Sequence, residues 1–110
     1  MEAGVKRAKS NWTDAVLVCA KCSRKVDGGF GEKGRDGLAK ALRREPGFGK
    51  KRKARVGVVE VKCLGLCPKN AVTVVDTRRP GEWLVVAPGE DVAALAARVA
   101  APDGPDQAER

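Results

Sequence analysis

The chain has 110 residues, with 22 Lys and Arg against 14 Asp and Glu, so its formal net charge is +8. That length allows one modest hydrophobic core, and the charge favours acidic partners, anionic cofactors or nucleic acid. The sequence contains no histidine. It therefore lacks Ser-His and Cys-His nucleophile pairs and mixed Cys/His zinc sites, which disfavours most hydrolytic enzymes.

The cellular compartment bears on how the cysteines are interpreted. No apolar run approaches the ~18 residues of a membrane-spanning helix, and the start MEAGVKRAKSNWTD lacks the apolar segment of a secretory signal. We therefore expect a cytoplasmic protein. Because that compartment keeps thiols reduced, four cysteines predict metal ligands or redox chemistry rather than disulfides.

The first third of the chain predicts one strand and a long loop. Residues 1–14 are polar and basic without periodicity, and we assign them as a flexible N-terminal segment. The apolar run from Ala15 to Ala20 predicts a buried strand that ends near Cys19. The glycine-rich, charged stretch that follows Cys22 predicts a surface loop.

The rest of the chain predicts two helices and three further strands. The order is β-α-β-β-β-α, in which a right-handed crossover makes the first two strands parallel and the last two form an antiparallel hairpin. We therefore expect an α/β fold with a mixed four-stranded sheet and two helices. The elements are a helix over 37–45 with Asp36 as its N-cap, strands over 54–63, 71–76 and 83–87, a helix over 90–100, and a flexible tail over 101–110.

Two closely spaced cysteine pairs carry the chemistry. CAKC separates Cys19 and Cys22 by two residues, and CLGLC separates Cys63 and Cys67 by three. Such loops suit metal chelation, because they wrap around an ion and direct backbone N–H groups toward sulfur. Gly65 would allow the second loop to turn sharply. Because both pairs follow strands that we expect to be parallel, the four sulfurs should meet at one end of the sheet.

The motifs VLVCAKC, VEVKCLGLCPKNAVTVV and GEWLVV, with the helices between and after them, resemble the thioredoxin-like 2Fe-2S ferredoxins. The resemblance spans residues 15–100. It implies a thioredoxin-like domain that binds a 2Fe-2S cluster, is not an enzyme, and passes single electrons to an acidic-surfaced redox protein. Related ferredoxins also form dimers, so a homodimer is compatible with the resemblance.

The resemblance also implies a ligand set. Cys63 and Cys67 match the second ligand pair, Cys19 matches the first ligand, and Cys22 is the only candidate for the fourth. The family separates its first two cysteines by four or about a dozen residues, so this chain departs from the pattern at Cys22. Nearby cations would favour the extra negative charge of a reduced cluster. They are Lys21, Arg24, Lys25, Lys62 and Lys69.

Two alternatives use the same cysteines. Four thiolates also suit structural zinc, and a zinc-stabilised module could contact nucleic acid through the basic run GKKRKAR, although a solvated connector is the simpler interpretation of that run. Thiol redox chemistry at CAKC would require a helix to begin at the motif and lower the pKa of the first thiol. The loop predicted after Cys22 disfavours it.

Overall fold

Five strands and three helices form the part of the chain that the computed structural model describes, residues 4–100 without the side chain of Ala100. The tail assigned to residues 101–110 lies outside this part. No helix within residues 4–100 is long and apolar enough to cross a membrane. The elements are β1 (Asp14–Cys19), α1 (Ala20–Val26), α2 (Leu38–Arg43), β2 (Phe48–Gly49), β3 (Val56–Val61), β4 (Val72–Asp76), β5 (Leu84–Val86) and α3 (Val92–Ala100).

The central strand of the sheet is β1. It pairs in parallel with β3 and antiparallel with β4, and the sheet order is β2-β3-β1-β4-β5. Branched side chains favour this pleated, buried arrangement, and Val16 and Val18 have no exposed surface. The predicted α/β class, the parallel crossover and the antiparallel β4–β5 hairpin are confirmed.

The predicted count of four strands and two helices is wrong. The additional strand, β2, is only two residues long and pairs in parallel with β3, with Phe48 opposite Val56. The additional helix, α1, lies where a loop was predicted. Residues 20–26 contain no glycine, and the glycines that suggested a loop begin only at Gly28. Asp27 closes the helix in a left-handed conformation, and its N–H donates to the Ser23 carbonyl.

The predicted apolar face of α2 is buried against β2 and β3, and α3 packs against α2. Leu38, Ala41 and Leu42 of α2 and Val99 of α3 are at most 3% exposed. The predicted capping of α2 is wrong, because Gly37 is the N-cap and no side chain caps the helix. Asp36 instead forms an ion pair with Arg44 at 2.6 Å, and this charged pair competes with capping for the carboxylate.

The ring of Trp12 packs on β3 at Gly57. In the chain, Trp12 precedes β1, which begins at Asp14. Its ring occupies the space that a side chain at Gly57 would need, and a β-carbon built at Gly57 would collide with three ring atoms. The indole N–H also donates to the Lys51 carbonyl at 2.8 Å. Gly57 therefore allows an aromatic residue from outside the strands to cover this face of the sheet.

We expect Gly57→Ala to lower the free energy of unfolding by about 1–3 kcal/mol, because the added methyl group displaces the Trp12 ring. Urea unfolding measures the change, and tryptophan fluorescence reports the displacement. Gly81→Ala is the matched control, since nothing lies within 4 Å of a β-carbon there. Equal stability of the two variants would show that Trp12 does not pack on Gly57.

A buried pair of carboxylates lies at the end of the sheet where β1 begins and β4 ends. Asp14 and Asp76 are 7% and 3% exposed. Burial raises the pKa of Asp76 to about 6, and the neighbouring Asp14 carboxyl adds to the shift. Arg78 offsets part of this effect through its charge and through its backbone N–H, which donates to Asp76 at 3.0 Å. Arg78 pairs with Asp14 at 3.4 Å, and Arg79 pairs with Asp76 at 3.0 Å.

The raised pKa predicts a pH-dependent stability. Between its ordinary pKa of 3.8 and about 6, Asp76 binds more protons in the folded than in the unfolded chain. Its contribution to stability therefore falls as pH rises through that window. Relative to Asp76→Asn, the wild type should lose stability between about pH 4 and pH 6, as measured by urea unfolding at each pH.

The Gly81→Ala substitution, which changes no ionisable group, serves as the control for this comparison. The stability difference between this variant and the wild type should be flat over the same window. A difference between wild type and Asp76→Asn that does not change with pH would contradict the raised pKa.

Candidate cysteine site

The two cysteine loops lie at the same end of the sheet, as predicted. Cys19 is the last residue of β1, and in the parallel register it faces Val61, the last residue of β3. Cys63 follows only two residues later. The Lys21 N–H donates to the Lys62 carbonyl at 3.1 Å, which joins the two loops directly. We call residues 19–22 and 62–67 the cysteine rim.

The first cysteine pair is buried at the start of α1. Cys19 is the N-cap residue, and its sulfur accepts a hydrogen bond from the Cys22 N–H at 3.4 Å. Their exposed fractions are 0% and 2%. The first turn of α1 therefore positions this pair, whereas the sequence predicted a loop after Cys22.

The second cysteine pair lies on the surface. Cys63 and Cys67 are exposed, and the Gly65 N–H donates to the Cys63 sulfur at 3.4 Å. Gly65 has a φ of 90°, a conformation that side chains disfavour, so its predicted role in the sharp turn is confirmed. Leu64 packs against the core, whereas Leu66 is 42% exposed, so only one of the two leucines shields the loop from water.

Thr73 connects the second loop to the sheet, and the sequence analysis did not identify it. Its hydroxyl donates to the Leu66 carbonyl at 3.0 Å. The Cys22 thiol is 3.7 Å from the same carbonyl and 4.0 Å from the Thr73 hydroxyl. Thr73 has no exposed surface. A hydroxyl within a run of valines was the available signal, because a buried polar group needs a partner.

The two buried thiols differ in their electrostatics. Burial would raise the pKa of Cys19, but N–H groups of Cys22, Leu64 and Lys21 and the Cys22 thiol together outweigh burial and lower it. Burial raises the pKa of Cys22, and the proximity of Cys19 adds to the rise despite an opposing contribution from Thr73. A negative charge at this pair is therefore best accommodated on Cys19.

Five exposed cations flank the four cysteines. No acidic residue interrupts residues 15–26 or 61–75. The potential at the rim is therefore positive, which favours thiolates and any anionic group that they hold. The cations are the five that the sequence analysis named: Lys21, Arg24, Lys25, Lys62 and Lys69.

Thiolates are the donor type that an iron–sulfur core or a structural zinc ion takes. Within residues 4–100, however, no three Cys, His, Asp or Glu side chains are gathered as a metal ion requires. The structure thus places Cys19 beside Cys22 and both loops at one rim. It leaves Cys63 and Cys67 on the outer side of that rim.

Comparisons of the chain with protein-family models, with curated proteins and with solved structures find no match. The residues of the rim are therefore the evidence for its function. Those residues combine four thiols, backbone N–H groups directed at two of the sulfurs, and a cationic surround.

Thr73→Val tests the attachment of the second loop. The substitution leaves the Leu66 carbonyl without its hydroxyl donor, so we expect a loss of about 1–3 kcal/mol in the free energy of unfolding. Alkylation of Cys22 in the reduced, metal-free protein should also accelerate, because residues 62–67 cover it less. Thr13→Val removes an exposed hydroxyl and is the control. Equal stability and equal alkylation rates in the two variants would refute the role of Thr73.

Proposed function

We propose that this chain is a thioredoxin-like 2Fe-2S ferredoxin that carries single electrons to a protein partner. Its ligands would be Cys19, Cys22, Cys63 and Cys67. The observation that carries the proposal is the meeting of both cysteine loops at one rim, joined by the hydrogen bond between the Lys21 N–H and the Lys62 carbonyl. The mixed sheet with its parallel β1–β3 pair supports the thioredoxin-like assignment.

The residues of the rim suit an anionic sulfur-ligated centre. When bound, a 2Fe-2S cluster supplies a one-electron redox centre. The N–H groups of Cys22 and Gly65 already donate to cysteine sulfurs at 3.4 Å, and hydrogen bonds to sulfur stabilise added negative charge. The carrier needs no catalytic acid or base, which agrees with a chain that has no histidine.

The two cysteine pairs would have different tasks. Cys19 and Cys22 are buried and exclude water from the inner side of the site. Cys63 and Cys67 are exposed and would place the outer side near a docked partner. Because the described residues do not gather three ligating side chains, binding would require Cys63 and Cys67 to come closer to the buried pair, and Gly65 gives their loop backbone freedom.

The cations of the rim indicate the charge of the surface that a partner would present. An exposed surface with five lysines and arginines and no intervening carboxylate favours a protein with an acidic face, and the association should weaken as salt rises. A cytoplasmic location agrees with ligands that must stay reduced until they bind metal.

Thiol–disulfide exchange is the second candidate, because α1 begins at the CAKC motif where a loop was predicted. In that reaction the Cys19 thiolate would attack a substrate disulfide and release one substrate thiolate. Cys22 would then attack the mixed disulfide and release the second substrate thiolate, leaving a Cys19–Cys22 disulfide. Cys19 has no exposed surface, so a disulfide could reach it only after the loop moves. This observation favours the electron carrier.

Anaerobic purification with visible absorption and metal analysis tests the proposal. We expect a reddish-brown protein with two irons and two sulfides per chain, as the composition of a 2Fe-2S core requires, and reversible one-electron reduction. Changing each cysteine to serine in turn should abolish or severely reduce cluster content. Lys21→Ser alters the same loop but keeps all four thiols, and should retain the cluster.

Two other outcomes would contradict the electron carrier, and a third would change its ligand set. A colourless protein with one zinc identifies a structural site. A metal-free protein in which Cys19 and Cys22 reversibly form a disulfide, with the loss of two hydrogens, identifies thiol exchange. Unchanged iron in Cys22→Ser would remove that residue from the ligand set.

A further inference from the structure

A second cluster of positive charge lies at the opposite end of β3 from the cysteine rim. Residues 50–55 read KKRKAR and connect β2 to β3, and five of the six are lysine or arginine. We call them the basic turn. The turn precedes Val56, whereas Cys63 follows Val61. At ~3.3 Å per residue, a six-residue strand separates the two sites by roughly 15–20 Å.

The backbone of the basic turn is fixed by the residues that precede β1. Main-chain and side-chain donors of that segment occupy successive carbonyls of the turn, and the Trp12 ring packs on Gly57 beside it. A surface that is ordered before binding loses less conformational entropy when a ligand binds. The bonds run from Trp12 Nε1 to Lys51 at 2.8 Å, from Asn11 N to Arg52 at 2.7 Å, from Asn11 Nδ2 to Lys53 at 3.4 Å and from Thr13 N to Arg55 at 2.8 Å.

The charges of the turn are not neutralised within the described part of the chain. Between residues 4 and 100, the four consecutive cations at 50–53 form no ion pair, and no acidic residue occurs between Glu45 and Glu60. The nearby Asp14 carboxylate is buried and pairs with Arg78. Holding like charges together on an ordered turn costs electrostatic energy, which an external polyanion would offset.

We propose that the basic turn binds the phosphodiester backbone of nucleic acid. A row of adjacent cations matches the regular spacing of phosphates, and their neutralisation releases counterions. Lys6 and Lys9 extend the positive charge along the segment that holds the turn, and the partly exposed Trp12 adds an aromatic side chain beside it. An electron-transfer partner must instead dock near the cysteines, so this surface is separate from the one proposed for the ferredoxin function.

The test is fluorescence anisotropy with labelled oligonucleotides of about 20 nucleotides, as single strand and as duplex, from about 50 to 200 mM salt. Substituting Lys51, Arg52 and Lys53 together with Gln should weaken binding at least ~10-fold and should lower the duplex salt slope by about 2–3. The control substitutes Lys33, Arg35 and Lys40 with Gln. It removes the same charge from exposed positions without a proposed role, and binding should change by no more than ~2-fold.

Protection from acylation gives a second readout on the wild-type chain. With the oligonucleotide bound, Lys50, Lys51 and Lys53 should react more slowly, while Lys21 and Lys25 should be unaffected. Equal weakening by both triple variants would overturn the proposal, because it would show a response to net charge alone. No binding at about 50 mM salt, or displacement by polyglutamate as effective as by unlabelled oligonucleotide, would also overturn it. Each result is read without reference to metal content, so failure here leaves the ferredoxin proposal intact.

Discussion

The parallel register of β1 and β3 is the constraint on which the rest of the site depends. It sets Cys19 opposite Val61, so the chain leaves both strands at the same level and in the same direction. Two short segments, whose first cysteines are 44 positions apart by their residue numbers, then share one hydrogen-bonded rim. A shift of one residue would reverse the side-chain orientation of a strand and would separate the buried thiols from the second loop.

Different charged groups lie at the two ends of these strands. At the carboxyl end, cations surround thiols whose sulfurs accept backbone N–H bonds. At the opposite end, the basic turn stands beside the buried pair of Asp14 and Asp76, whose charges are partly balanced by arginines. Within residues 4–100, these two positive surfaces lie at opposite ends of β3. The length of β3 keeps them apart, so the proposed redox partner and the proposed polyanion would not compete for one surface.

Much of this arrangement could be predicted from the sequence because it depends on local patterns. Runs of valine gave strands that the structure contains, and the βαβ connection rule gave the parallel pair and therefore the common rim. Other features depend on tertiary contacts that no local pattern shows. The burial of Cys22, the bond from Thr73 to Leu66 and the packing of Trp12 on Gly57 are of this kind.

Two local predictions also failed, for physical reasons. Glycines beyond residue 27 suggested that the whole stretch after Cys22 was a loop, although the seven residues of α1 could form two turns before them. Asp36 looked like an N-cap, but an ion pair with Arg44 uses its carboxylate. The helix at CAKC matters most, because it orders the first cysteine pair.

If the chain is a 2Fe-2S electron carrier, thiols from both loops must coordinate the same iron centre. Iron X-ray absorption on the anaerobically purified protein tests it directly. We expect iron surrounded by sulfur alone, with one iron neighbour, and loss of this signature when either Cys19 or Cys63 is replaced by serine. Iron bound through oxygen or nitrogen, or an unchanged signature after both cysteines of one loop are replaced, would contradict it.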